Sequence, residues 1–452
     1  MNDLKHFKQW KLAFEEFLKD SDSNRLHASE IAFLLKKIRK EDKALFEQYI
    51  KALPEETLGE VLLELPEKAK DEAYEFLSTV DLVHAVEGLE SDDAAELVQD
   101  IESFDEQTHE AVVSQLDEED REDIDQILSF DENQAGSWMQ TEFFEATLDE
   151  RVQDSIDRLK ALKESDEISN VHQVFIVNED KRLIASVALE DIILFDFSKT
   201  YREQIKEKEF RYVEASMDID EVAKLFEQYD LSAMPVLDWQ GRIIGRITSD
   251  DIYDLIEERA TEQIYNLAGV DDETEQEEKV VSVAYKRGIW LAINMLTAIG
   301  ASFVISIFSA TIEHVIALAI LMPIVASMGG NAGLQALTVM VRRIALGEID
   351  FHNAKEAIYK EVGVVLLNGF TFAVSIGLVT YLWFDSFILS EVIAIAMVLN
   401  LLLAGFVGSV VPLSLKRLDI DPAVGSSVIL TVTTDVVGFF LFLGLATIMI
   451  PH

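Results

Sequence analysis

Five stretches of 21 or more residues, Gly288–Phe308, Val315–Val341, Val362–Phe384, Val392–Leu415 and Val424–Ile450, carry a single formal charge between them. A bilayer core of about 30 Å needs roughly 20 apolar residues in a helix, and buried soluble helices rarely run so long without charge. The sequence therefore predicts five membrane spans. The connections orient them. Lys286 and Arg287 precede the first span, Arg342, Arg343, Lys355 and Lys360 lie between the second and third, and Lys416 and Arg417 between the fourth and fifth. SATIEH and DSFILSE, the other two connections, hold neither Lys nor Arg. This alternation predicts a cytoplasmic N-terminal part and a C-terminus outside.

The charge is as unevenly divided as the hydropathy. Of 83 acidic and 38 basic residues, only ten acids and six bases follow Gly288, so 73 acids and 32 bases precede it. No basic face large enough to follow a phosphate backbone exists, which argues against nucleic-acid binding. The absence of cysteine excludes disulfides, zinc-thiolate and iron–sulfur sites and a thiol nucleophile. The eight histidines form no HExxH or HxxxH pair. MNDLKHFKQWKLAFEEF is charged throughout, so no secretory peptide is expected. No nucleophile–base set or phosphate-cradling loop appears, and no enzyme is expected.

Residues 1–130 read as an acidic domain of short amphipathic helices. ALPEETLGEVLLEL, LPEKAKDEAYEFL, GLESDDAAELVQDI and QLDEEDREDIDQIL each open with Pro, Ser or Asp followed by acids, which suits a positive helix start. Their recurrence predicts a helical superhelix, with an irregular bundle as the alternative. Residues 136–255 contain a repeat. VFIVNEDKRLIASVALEDII at 174–193 aligns without gaps on MPVLDWQGRIIGRITSDDIY at 234–253, an offset of 60. Each copy reads strand, turn, strand and helix start, after an amphipathic helix (VQDSIDRLKAL, DEVAKLFEQYD). This resembles a tandem pair of CBS domains, the first at 136–199 and the second at 200–255. Such pairs often bind adenosine nucleotides through G-x-x-[ST]-x-x-D; the second copy matches at Gly245, Thr248 and Asp251, the first keeps only Asp191. Residues 256–287 connect to the spans. The helix that begins at the end of the second copy is expected to run to Leu267, with Gly269 as its cap and DDETEQEE as a solvated run.

Asp435, in VILTVTTDVVGFF, is the charge within the spans. It lies about 16 Å into its span at 1.5 Å per residue, near mid-bilayer. A carboxylate there costs about 2.5–3.5 kcal/mol on insertion scales, so it should face a wet path or a partner. No span offers Lys or Arg, and an external cation is the natural partner; the alternative is a protonated acid bonded to neighbouring threonines. The second span, with LMPIVASMGGNAGLQAL, holds Pro323, Gly329, Gly330, Asn331, Gly333 and Gln335. Such a composition permits either unwinding beside a water-filled cavity or close helix packing. DIDPAVGSS leads into the fifth span, with Asp421 near the cytoplasmic interface as a cap or an ion ligand.

P-x(5)-GGNAG-x-Q at Pro323–Gln335, together with DPAVGSS-x(7)-TDVVG at Asp421–Gly438, resembles the MgtE family of bacterial magnesium channels, and the resemblance extends over the whole chain. It implies a multidomain membrane protein: an all-α superhelical domain, an α+β CBS pair, a connecting "plug" helix and a five-helix pore domain at 288–452. It implies a homodimer in the bacterial cytoplasmic membrane whose pore, on the two-fold axis, is lined by spans two and five. Asp435 falls at the selectivity position, with Thr431 one turn before it, and Gly330, Asn331 and Gly333 fall near the pore. It also implies that Mg²⁺ is both substrate and regulator. Cytoplasmic Mg²⁺ is expected at Asp218 and Asp230 of the second CBS domain, at Asp251, Asp254 and Glu262 along the plug, at Asp92 and Asp93 of the helical domain, and at Asp421. Arg259 and Gln263 stand where the family can carry acids, which bears on the number of regulatory ions. Rival expectations are a broader carrier for Co²⁺ or Ni²⁺, an ion-coupled carrier, and a non-transporting sensor of Mg²⁺ or nucleotide.

Overall fold

The computed structural model describes all residues except 1, 20–25, 166, 167, 169, 206–209, 271–279, 350–352, 419, 424 and 452. The acidic run at 271–278 and the expected first residue of the fifth span, 424, lie outside the described residues. The chain divides into two compact units, Met1–Glu257 and Glu258–His452.

In the first unit, short helices follow one another from Asn2–Phe17 to Glu118–Leu128. Their starts sit where the turn chemistry places them. Pro54 and Pro66 occupy the cap positions of Glu55–Leu63 and Glu67–Phe76. Ser78 accepts the Asp81 N–H while the Asp81 carboxylate receives the Ser78 N–H, a capping box that satisfies two orphan donors at once. Asp117 accepts the N–H groups of Glu119 and Asp120, both at 3.0 Å. Helices pack on the next but one along the chain, Glu55–Leu63 on Thr79–Glu87 and Ser91–Phe104 on Glu118–Leu128, the stacking of a superhelix.

The repeat folds as two like sheets. β1 (Glu145–Thr147), β2 (Gln173–Val177) and β3 (Leu183–Ala188) form one, in the order β1-β2-β3, with β1 parallel and β3 antiparallel to β2. β4 (Val213–Glu214), β5 (Ala233–Leu237) and β6 (Ile243–Thr248) repeat that arrangement, and β5 and β6 begin 60 residues after β2 and β3. The two hairpins meet at their tips, where Leu183 N–H donates to the Gly241 carbonyl and Ile243 N–H to that of Lys181, both at 3.2 Å. Phe175, Val177, Leu183, Leu237 and Ile243 form one apolar cluster beneath them. Residues 134–140, which leave the helical domain, pair with the second sheet's domain: Gln134 bridges Asp218, and Gln140 exchanges two backbone hydrogen bonds with Arg246 at 2.7 and 2.8 Å. Accordingly the core of the helical domain is continuous, through Ala135 and Met139, with that of the second CBS domain, whereas the first has its own.

The second unit contains helices Val280–Ile307, Ala317–Ala345, Ala354–Phe384, Phe387–Arg417 and Ser426–Met449, each long and apolar enough to span a bilayer. They overlap all five expected spans and extend beyond most of them into the polar flanks. The fourth is the most buried and packs on the second, third and fifth. The first packs on the fifth and otherwise exposes its surface within one chain. The second is a continuous helix with Pro323 inside it, so the glycine-rich run does not unwind; it serves close approach. A Cβ at Gly333 would lie 2.5 Å from the Leu430 side chain of the fifth span. The expected plug helix is Ser249–Ala268, and Gly269 follows it at φ 69°, in the left-handed region that glycine adopts freely.

Candidate functional site

Asp435 stands in the tenth position of Ser426–Met449, about 14 Å along it at 1.5 Å per residue. Its threonine neighbours do not bond to it. Thr431 donates its hydroxyl to the Ser427 carbonyl at 2.8 Å, Thr433 to Ile429 at 2.7 Å and Thr434 to Leu430 at 3.0 Å. Each hydroxyl proton is thereby spent on the helix's own backbone, while the oxygen lone pairs stay available as acceptors. The carboxylate is left for a partner from outside the helix. On the second span, Gly330 has open space where a side chain would stand, and Asn331 is exposed, its amide 3.4 Å from Ser327 Oγ. Gly333 is different: it is buried against Leu430 and holds the two helices together.

In the first unit the structure gathers Asp92, Asp93 and Asp251. Asp92 and Asp93 open helix Ser91–Phe104, and Asp251 lies in the first turn of Ser249–Ala268. Burial drives the Asp92 carboxyl well above the usual carboxylate range, with Asp251 and Asp93 adding to it and Gln140 and the backbone opposing. One Asp92 oxygen is buried without a hydrogen-bond partner, as is Gln140 Oε1. Burial, then Glu96, Asp251, Glu90 and Glu60, push Asp93 up to about 7. Burial pushes Asp251 up to about 6, against its hydrogen bonds from Thr248, with Asp250 and Asp254 adding. Asp254 is raised by burial, Asp250 and Glu257. Two further acids belong to this cluster and were not expected. Glu90 is raised by burial and by Glu142, Asp251 and Asp250, against the pull of buried Arg246. Glu142 accepts the Ser91 N–H at 3.1 Å and the Ser91 hydroxyl at 2.8 Å. GLESDD already placed Glu90 beside the Asp pair, but Glu142 reaches it from 51 residues away, a distance no local pattern encodes.

The cluster is charge-dense but not a finished cage: among the described residues no three His, Asp or Glu side chains already form a metal-holding group. The donor set nonetheless fits Mg²⁺. It consists of hard oxygens, it includes an orphaned buried carboxylate oxygen, and Mg²⁺ keeps several waters that reach ligands too distant for direct bonds.

Asp218 and Asp230 are not brought together. They cap opposite ends of helix Ile219–Tyr229, about 18 Å apart along its axis. Asp218 accepts the Asp220 N–H at 3.0 Å and lines a cleft with Asp131 and Glu132; Asp230 closes the helix at φ 50°. In the second unit Glu262 and Asp421 meet around Asn266. The Asn266 amide donates to Asp421 Oδ2 at 3.0 Å and to Glu262 Oε1 at 3.4 Å, and Arg259 donates to Glu262 Oε2 at 3.2 Å. The other Asp421 oxygen receives the Ala423 N–H at 2.8 Å within the turn that precedes the fifth helix; the cap position of that helix is Gly425, with no side-chain cap bond, so Asp421 does not cap it. Leu267 packs beside Leu337, Val341, Ala423 and Leu430, so the end of the connecting helix rests against the C-terminal part of span two and the N-terminal part of span five.

The nucleotide motif is already engaged. A Cβ at Gly245 would lie 2.8 Å from the Gln140 carbonyl, and buried Thr248 donates its hydroxyl to Asp251 at 2.6 Å.

The MgtE divalent cation transporter profile matches residues 322–445, the MgtE intracellular N domain residues 26–133 and the CBS domain residues 203–258. The magnesium transporter MgtE of Thermus thermophilus is 31% identical over 333 residues, 73% of each chain. That of Bacillus subtilis is 28% identical over 72% of this chain and 71% of its own. A solved structure of the cytosolic domain of the Mg²⁺ channel MgtE in complex with ATP is 25% identical, with a TM-score of 0.47, over 54% of this chain and 99% of that one. A multi-pass membrane protein with an acidic helical domain and a CBS pair, this chain belongs to the MgtE family of divalent cation transporters, which are not enzymes.

Proposed function

We propose that the protein is a Mg²⁺-selective channel of the bacterial cytoplasmic membrane that works as a homodimer and is closed by cytoplasmic Mg²⁺. The observation that carries the reading is Asp435, a mid-span carboxylate with threonine acceptors one turn away and no proton donor from its helix neighbours. Two symmetry-related copies would supply a charge of −2. Mg²⁺ sheds water reluctantly, so a ring that holds a hydrated ion through its waters offers attraction without the cost of dehydration. The names of the relatives, each a magnesium transporter, support the same cargo.

Closure follows from differential affinity. Mg²⁺ bound among Asp92, Asp93, Asp251 and Asp254 relieves repulsion in one arrangement of the cytoplasmic part, and a ligand shifts an equilibrium only by binding one state better. Glu262, Asp421, Asp218 and Asp230 are further ligand candidates in that scheme. The basic loops support an acidic unit on the cytoplasmic side, where it would meet the regulated pool. Adenosine nucleotide at Gly245, Thr248 and Asp251 is a second regulatory reading; it would compete with the Gln140 and Thr248 contacts.

The test is growth rescue of a bacterium lacking its own Mg²⁺ uptake systems, followed by single-channel recording. Rescue with unitary currents carried by Mg²⁺ supports the reading. Transport without unitary currents favours a carrier, preference for Co²⁺ or Ni²⁺ a broader substrate range, and no transport a sensor.

A further inference from the structure

Span four contains one amide in an apolar run, the Asn400 of MVLNLLLAG. It is fully buried. Its Nδ2 donates to the Val325 carbonyl of span two at 2.9 Å, and its Oδ1 is buried without a hydrogen-bond partner. Two glycines make room for it from either side. A Cβ at Gly329 of span two would lie 2.3 Å from Nδ2, and one at Gly438 of span five 2.7 Å from Oδ1. Gly329 opens the Gly-Gly-Asn-Ala-Gly run, and Gly438 stands one helical turn after Asp435. The amide is thus wedged between the two helices at the depth of the carboxylate.

Packing alone does not explain it. A leucine of similar size would fill the space with no polar atom to satisfy, and an orphaned amide oxygen in an apolar interior is costly. We propose that Asn400 is a positioning residue for permeation. Through its bond to Val325 and its contacts with Gly329 and Gly438 it fixes the spacing of spans two and five, and hence where Asp435 stands in the path. The inference rests on Mg²⁺ permeation past Asp435.

The experiment measures Mg²⁺ and Co²⁺ uptake by the full chain, per membrane-inserted protein, in a strain lacking its own uptake systems. Asn400→Leu, which keeps an apolar core, and Asn400→Ala should reach the membrane, yet raise the half-saturating Mg²⁺ and erode discrimination against Co²⁺ by roughly ten- to hundredfold, as expected of ångström-scale misplacement. Gly329→Ala should fail to pack, and Asn400→Ala with Gly329→Ala should recover thermal stability in detergent but not discrimination. If Asn400→Leu keeps wild-type half-saturation and discrimination, or the double variant regains both, Asn400 only fills space and the proposal falls. Absence of Mg²⁺ uptake by the unaltered chain would overturn the permeation reading itself, and this inference with it; the wild-type control separates the two failures.

Discussion

The unit of apolar helices and the unit that holds the helical domain and the CBS pair use carboxylates in opposite ways. Asp435 is single in its span, its threonine neighbours turned to their own backbone. Asp92, Asp93 and Asp251 are crowded: burial raises the proton affinity of all three, Asp251 adds to it at Asp92 and Asp93, and Asp250 and Asp254 add to it at Asp251. Both arrangements leave negative charge that the chain does not neutralise. A single acid per chain attracts a cation without enclosing it, which suits passage. Facing acids on two elements gain when a cation stays between them, which suits retention.

The sharpest break of this contrast is at Asp435. Asp435→Ala should abolish Mg²⁺ uptake, at least a hundredfold below wild type by the scale of lost charge stabilisation in a desolvated site. Asp435→Asn should fail as well, because it keeps shape and an acceptor but not charge. Normal flux in a membrane-inserted variant, measured by uptake into cells, would remove the carboxylate from the path.

Next in size is the loss of the retaining side. On the proposed channel reading, the protein without residues 1–130 should still conduct, while half-inhibition by Mg²⁺ in inside-out patches should move up by about tenfold or more, equivalent to ~1.4 kcal/mol of coupling. Closure at the full-length concentration would place gating in the membrane unit. Asp92→Asn combined with Asp251→Asn should shift the curve in the same direction.

A smaller effect reports the repulsion directly. In Mg²⁺-free buffer Asp93→Asn should stabilise the unit Met1–Glu257 at pH 7.5, by roughly 1–2 kcal/mol after allowance for screening. It should also lower the stabilisation gained from added Mg²⁺, read by thermal melting of the full chain. The pH dependence has a definite sign. An acid whose pKa is higher folded than unfolded binds more protons when folded, so stability falls as pH rises from near 4 through about 6 for Asp251 and about 7 for Asp93. Melting in chelator between pH 5 and 8 should show that decline, and Mg²⁺ should flatten it. The smallest change is Asn266→Ala, which removes the exposed bond to Asp421 and the longer one to Glu262 and should cost about 1 kcal/mol.

What was legible in the sequence was local or periodic. The spans followed from unbroken hydropathy, the helix starts from Pro54, Pro66 and Asp117, and the twin sheets from the offset of 60, whereas Ser91 of GLESDD stands inside its helix with Glu90 at the cap. The pieces of the sites that escaped are contacts between distant residues: Ser91 with Glu142, Asn266 with Asp421, Asn400 with Val325. Nothing in a run of residues states which distant backbone it meets. Asn400 did leave a trace, since a single amide in an apolar membrane run is expensive enough to need a reason. Asp218 and Asp230 show the converse: two acids of one domain, placed by their caps at opposite ends of one helix.

The bridge between Gln140 and Arg246 also sets a timetable for synthesis. The helical domain leaves the ribosome first, but the strand that fastens its trailing segment emerges 106 residues later. At about 5–20 residues per second, Gln140 and the buried Met139 wait some 5–20 s for their partner. In that interval the first CBS domain can complete its own core, while the core that the helical domain shares with the second CBS domain and the cover of Gly245 cannot form. Fastening the helical domain to the second CBS domain is therefore a late step in building the first unit, with Arg246 made 42 residues before Gly288, where the first apolar stretch begins.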